Sequence, residues 1–158
     1  MTVLLVRHAR AGSRKYWKGP DIERPLSKKG RRQAEGLVDM LARYPIKRIL
    51  SSPYVRCVQT VEPVAEKVKL QIEQRLELTE GSPAEEVIAL LRPSGGSTDV
   101  WCTHGDIVPI VLDAIVEQDG LKLKKIEKTY PKGSFWELEQ NESGRVTKAT
   151  YFAAPEPD

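Results

Sequence analysis

From residue 3 to residue 117 the chain alternates short β-branched runs with stretches of helical period, and that alternation confines it to a mostly parallel sheet with helices on both faces. Residues 3–6 (Val-Leu-Leu-Val) and 98–102 (Thr-Asp-Val-Trp-Cys) read as buried strands, with residues 48–51 and 69–73 as two more. Between them, Ser27 can cap a helix whose apolar face is Ala34, Leu37, Val38 and Leu41, ended by Tyr44-Pro45. Residues 54–68 predict a second helix, bent at Pro63. Ser82-Pro83-Ala84-Glu85 has the pattern of a capping box with proline at the first helical position, opening a short helix to Leu91. Residues 106–117 predict a fourth helix with Ile107, Ile110, Val111, Ala114 and Ile115 inward. The tail changes character: residues 133–139 and 145–152 predict two late strands joined by the polar turn 140–144. The expected architecture is α/β, a three-layer α/β/α sandwich forming one domain over residues 1–158.

No run approaches the roughly 20 apolar residues of a membrane span. The apolar stretch 2–6 is ended by Arg7 and is too short for a signal-peptide core, so a cytoplasmic location is expected, with no membrane partner. Cys57 and Cys102 have neither metal-ligand spacing nor a disulfide framework and read as buried free thiols. Asn141-Glu142-Ser143 fits the glycosylation pattern by chance in such a chain. The net charge of +3 conceals an asymmetry: residues 7–32 hold ten basic side chains against Asp21 and Glu23. A local cationic field of this kind speeds encounter with an anionic partner. Lys28, Lys29, Arg31 and Arg32 read as the solvated start of a helix, whereas Arg10, Arg14, Lys15 and Lys18 call for a ligand.

Open parallel sheets bind ligands beyond the carboxyl ends of their strands. The chain has two histidines, and both fall there: His8 just past the first strand, His104 just past the strand at Trp101. A single histidine is more often structural than catalytic; two at equivalent strand ends reinforce each other. Arg56, in Ser51-Ser52-Pro53-Tyr54-Val55-Arg56-Cys57-Val58-Gln59-Thr60, again follows a strand and opens a helix, where backbone N–H groups favour an anion. Guanidinium forks match the three equatorial oxygens of a phosphoryl group. Arg7, Arg56, a neutral histidine in line with phosphorus and a second histidine make a sufficient pocket with neither metal nor cofactor.

These residues resemble the histidine phosphatase superfamily, which includes cofactor-dependent phosphoglycerate mutases and short bacterial phosphohistidine phosphatases. The likeness covers nearly the whole chain and rests on Arg7-His8-Ala9, where the family has Arg-His-Gly, on the segment from Ser51 to Thr60, and on Thr103-His104-Gly105. A closer likeness is to the histidine phosphatase domain that follows a MutT-type Nudix domain in some actinobacterial proteins. Its carriers are Arg7-His8-Ala9-Arg10-Ala11-Gly12, Trp17-Lys18-Gly19, Arg24-Pro25-Leu26, Gly30-Arg31-Arg32-Gln33-Ala34-Glu35, the run from Arg56 to Pro63, and Lys132-Gly133-Ser134.

The resemblance implies that His8 attacks phosphorus while Arg7, Arg56 and His104 hold the oxygens, and that water then frees phosphate. The family's general acid, a glutamate in a Leu-x-Glu context, maps onto Glu80 in Leu78-Thr79-Glu80, with Glu77 as runner-up. It points to a nucleotide-like phosphorylated small molecule as substrate, with Arg10, Arg14, Lys15, Trp17 and Lys18 as its further contacts. A phosphoprotein or a Nudix hydrolase is a further partner to test, and no nucleic acid polymer is expected. A phosphohistidine protein phosphatase and a non-catalytic phosphate-binding module are the competing functions; retention of both histidines and both arginines argues against the module. Mutases of the family carry enclosing insertions, and here only residues 11–25 offer a lid.

Overall fold

The computed structural model describes residues 1–93, 95–124 and 127–156. The domain expected over residues 1–158 therefore has its last two positions outside the described residues. Strands β1 (Thr2–Arg7), β2 (Ile46–Ser51), β3 (Ile72–Gln74), β4 (Thr98–Thr103), β5 (Phe135–Gln140) and β6 (Val146–Phe152) form one sheet in the order β3-β2-β4-β1-β5-β6. The first four are parallel, β5 runs antiparallel to β1, and β6 antiparallel to β5. Helices α1 (Lys28–Leu41), α2 (Val55–Val68), α3 (Ala84–Leu91) and α4 (Ile107–Glu117) cover it.

The apolar run of β1 is continuous because both faces of the strand are buried. Leu4 and Val6 pack with Leu37 and Leu41 of α1 and Val61 and Val64 of α2, while Val3 and Leu5 pack with Val87 and Leu91 of α3 and Val111 and Ile115 of α4. That division makes the three layers. Each fully buried aliphatic side chain contributes about 1.5–3 kcal/mol relative to exposure, so alternate residues of one strand bind the two helical layers to the sheet.

Local differences have local causes. Lys69, expected in a strand, is the left-handed C-cap of α2 (φ 60°), so β3 begins at Ile72. The expected capping box at residues 82–85 does not form: Pro83 is the residue before α3, without a side-chain cap, and the Ser82 hydroxyl donates to Glu86 at 3.4 Å. Ser27 does cap α1, accepting from the Gly30 N–H at 3.1 Å, and α2 runs unbroken through Pro63. On α4, Ile110 is half-buried while Val108 and Leu112 complete the inner face. Among the described residues no helix is long and apolar enough to cross a membrane.

Candidate active site

The order of the strands brings the two histidines together. β1 and β4 are parallel neighbours with Arg7 opposite Thr103, so His8 and His104 stand side by side one residue beyond the paired ends. Their rings meet edge-on with centroids 5.4 Å apart, and both side chains are buried. The loop between β2 and α2 enters from the other side of β4, because Ser51 is opposite Cys102.

His8 has its tautomer fixed by the backbone. Its Nδ1 lies 2.7 Å from the Ala9 carbonyl, which can only accept, so Nδ1 carries the proton and Nε2 the lone pair. Burial, joined by the charges of His104, Arg56 and Arg7, outweighs that hydrogen bond and lowers the pKa to about 3. The ring is therefore neutral at physiological pH, with Nε2 unprotonated. Ala9, in place of the expected glycine, is buried against Leu26 and Ala34 and takes no positive φ, so its methyl group costs no strain.

The Ser51 to Thr60 segment is a set of braces. Ser52 Oγ lies 2.8 Å from His104 Nε2; when the hydroxyl donates there, Nδ1 carries the ring proton. Gln59 accepts from the Leu26 N–H at 2.8 Å, and Thr60 accepts from the Ala9 N–H at 2.9 Å while donating to the Arg56 carbonyl at 2.7 Å. Tyr54 lies between two site residues, with its ring 4.7 Å from that of His104 and 4.7 Å from the Arg56 guanidinium. Cys57 and Cys102 are buried free thiols, as expected, and Cys57 Sγ lies 3.5 Å from His104 Nε2.

Arg56 is 1 % exposed and is gripped by the turn at Asp21–Glu23. Its two terminal nitrogens donate to the Asp21 carbonyl at 3.0 Å and carboxylate at 3.1 Å, and Glu80 stands 3.6 Å away. Burial works to raise the Asp21 carboxyl, but Arg24 and Arg56 outweigh it and hold the group below the usual carboxylate range. Arg7 donates to the Tyr130 carbonyl at 3.0 Å and lies so close to Gly105 that a Cβ there would come within 2.6 Å of its guanidinium. A side chain at position 105 would therefore displace the Arg7 guanidinium from this position.

His8, Arg7, Arg56 and Glu80 open into one cleft of about 840 Å³, lined also by Arg10, Arg14, Arg24, Lys28, Lys29, Arg32, Lys132 and Asp106. A second hollow of about 700 Å³, between α1 and α2, holds none of the expected site residues. Among the described residues no group of three or more His, Cys, Asp or Glu side chains is placed to hold a metal ion.

The model of the histidine phosphatase superfamily, branch 1, matches residues 3–86, more than half of the chain. The chain belongs to the histidine phosphatase superfamily. It is 36 % identical over 160 residues to an 8-oxo-(d)GTP phosphatase of Mycolicibacterium smegmatis, spanning 98 % of this chain and 49 % of that protein. It thus covers about half the length of this curated relative. The structure of the protein histidine phosphatase SixA complexed with tungstate superposes with a TM-score of 0.75 at 24 % identity, covering 98 % of this chain and 97 % of that one. A mycobacterial glucosyl-3-phosphoglycerate phosphatase with inorganic phosphate gives 0.68 at 14 % identity, with 99 % of each chain covered. At these identities both show the shared histidine phosphatase fold.

Within this family member the two carboxylates considered for the acid role are separated by their partners. Glu77 is bound by Arg75 at 2.7 Å, a hydrogen bond that lowers its pKa, and it does not line the cleft. Glu80 does. Its loop is held to β4 by Thr103, which donates to the Leu78 carbonyl at 2.6 Å, and to the start of α4 by Asp106, which accepts from the Gly81 N–H at 2.8 Å.

Of the further contacts expected, Arg10 and Arg14 line the cleft, while Lys15, Trp17 and Lys18 do not. The chain turns back there: Tyr16 and Trp17 N–H both donate to the Ser13 carbonyl, and the Trp17 indole donates to the Pro20 carbonyl at 2.8 Å. Sequence reasoning missed Lys28, Lys29 and Arg32, which were set aside as a solvated helix start, together with Asp21, Arg24, Tyr54, Asp106 and Lys132. One signal for the first three was available. The first turn of α1 has no acidic residue, against the preference of a helix N-terminus.

Proposed function

We propose that the protein is a phosphatase that removes the terminal phosphoryl group of a small phosphorylated metabolite, a nucleotide, through a phosphohistidine on His8. The carrying observation is the neutral His8 ring with its Nδ1 proton held by the Ala9 carbonyl, placed beside His104 in a cleft that Arg7 and Arg56 also line. Nε2 attacks phosphorus as the bond to the leaving oxygen breaks, and Glu80 gives that oxygen its proton. Water then attacks the phosphohistidine, Glu80 takes a proton back, and phosphate leaves with His8 neutral again. Arg7, Arg56 and His104 hold the equatorial oxygens. His104 Nδ1 and Arg56 Nε are buried with no hydrogen-bond partner among the described residues. Phosphoryl oxygens would supply acceptors for such donors, which cost about 1–3 kcal/mol each when left unsatisfied.

Nine Arg and Lys side chains line the cleft against Glu80 and Asp106, more cationic charge than one phosphoryl group needs. That excess, and the 8-oxo-(d)GTP phosphatase named among the relatives, favour a nucleotide. A phosphate-release screen over nucleotides, sugar phosphates and a phosphohistidine protein tests this; fastest turnover of the phosphoprotein would replace the nucleotide reading with a protein phosphohistidine phosphatase. No release from any of them would leave a phosphate-binding module. Activity is expected to survive exhaustive chelation, since Arg7, Arg56 and His104 take up the developing charge on the equatorial oxygens. Loss restored by one divalent ion would require a metal-assisted step instead.

The acid assignment predicts a selective defect. Glu80→Gln should slow hydrolysis of an alkyl phosphate by about 100-fold or more, while an aryl phosphate, whose leaving group needs little protonation, slows by less than about fivefold. Equal slowing of the two in steady-state assays would remove Glu80 from the role. The same selective pattern in Glu77→Gln would transfer it there.

A further inference from the structure

Lys28, Lys29 and Arg32 line the cleft that holds His8, yet they sit in the first turns of α1, where a cation faces the positive end of the helix dipole. Each such placement weakens the helix, and no acidic residue in that turn offsets it. Among the described residues Lys28 and Lys29 make no ion pair within 4 Å, although the Lys29 charge acts on the Glu156 carboxylate, which Arg32 holds at the rim at 3.0 Å. The turn is fixed to the nucleophile's own loop. Ser27 N–H and hydroxyl both donate to the Arg10 carbonyl, at 3.0 and 3.2 Å, and Gln33 accepts from the Arg10 N–H at 2.9 Å. Gly30 packs against that same carbonyl so closely that any Cβ would collide with it. A cationic patch that weakens its own helix, and is bolted two residues from His8, is an arrangement for a ligand rather than for the fold.

We propose that Lys28, Lys29 and Arg32 form a second anion subsite for the inner phosphate of a nucleoside di- or triphosphate whose terminal phosphoryl group lies at His8. The assignment rests on the phosphatase reading of His8. It makes the first turn of α1, rather than the tip of the Trp17 loop, the part of the protein that distinguishes a polyphosphate ester from a simple monoester. The ammonium groups of Lys28 and Lys29 supply point charges, and the Arg32 fork adds to them once its pair with Glu156 opens.

The test is the double variant Lys28→Ala, Lys29→Ala, compared with the parent on a nucleoside diphosphate and on p-nitrophenyl phosphate. We expect kcat/KM for the diphosphate to fall by about tenfold or more, through KM, because charge-assisted contacts to its inner phosphate are lost. The aryl monoester should change by less than about twofold, and the melting temperature should equal or exceed the parent's because the helix dipole is relieved. An equal fall for both substrates would reduce the patch to general steering, a marked drop in melting temperature would make it structural, and no change for the diphosphate would remove it. Calorimetric titration with inorganic pyrophosphate and with inorganic phosphate, on the parent, the double variant and His8→Ala, separates the two layers of the argument. Pyrophosphate preference that survives in His8→Ala and disappears in the double variant supports the subsite even if no substrate turns over. Equal affinity of the parent for the two anions overturns it whatever the catalytic result.

Discussion

Replacing His8 with alanine is expected to lower turnover by about 10,000-fold or more, because the covalent route is lost together with the in-line group, while the cleft's cations continue to bind substrate. The parent enzyme, quenched rapidly with labelled substrate, should yield an acid-labile, alkali-stable phosphoenzyme that is absent from the variant. Retention of more than a small fraction of activity would place the nucleophile elsewhere. The pKa of about 3 gives a second, independent check. Nitrogen-detected spectra of the His8 ring should show the neutral Nδ1–H form throughout pH 5–8; a proton gained near 6.5 would contradict the burial and the Ala9 hydrogen bond. The sign for stability follows from the same depression. As pH falls from 6.5 towards about 3, the unfolded chain binds a proton at this residue that the folded chain does not, so stability declines across that window and changes no further below it.

The strands and helices were legible because their patterns are strong: β1 is apolar on both faces, β4 holds the apolar run Val100-Trp101-Cys102, and α1 carries its stripe through Ala34, Leu37 and Leu41. The same reading located His8, His104 and Arg56, since a parallel sheet puts its strand ends at one edge and the register then fixes which ends are neighbours. What failed was the use of sequence distance for spatial distance. Lys15, Trp17 and Lys18 follow His8 closely in the chain, but the turn at Ser13 leads them away from the cleft. Lys28 and Lys29 come 20 and 21 residues after His8 and return to its cleft, because Gly30 lets α1 press on the Arg10 carbonyl. A contact of that kind has no local pattern. The edges of elements were lost for a related reason: Lys69 is an ordinary residue by propensity, and its left-handed conformation is set by the closure of α2.

Arg56 is the residue where fold and chemistry are hardest to separate, and its replacements should differ accordingly. In Arg56→Ala the buried guanidinium is lost from Asp21, from Glu80 and from the face of Tyr54 at once, and the phosphoryl clamp is lost with them. We expect kcat/KM to fall by about 1,000-fold, the scale of removing a preorganised charge from a transition state. The melting temperature should also fall, since two carboxylates and an aromatic face lose their buried partner. Arg56→Lys keeps the charge and most of the length, but a single ammonium cannot reach the Asp21 carbonyl, the Asp21 carboxylate and a phosphoryl oxygen together. It should recover much of the melting temperature and less than about tenfold of the activity. If lysine instead restored near-parent kcat/KM, a point charge would be all the site needs and the fork geometry would have no catalytic role. If Asp21→Asn, which keeps the loop's shape but removes the charge facing Arg56, left KM for inorganic phosphate release unchanged and lowered kcat, the grip of Asp21 would be confirmed as positioning.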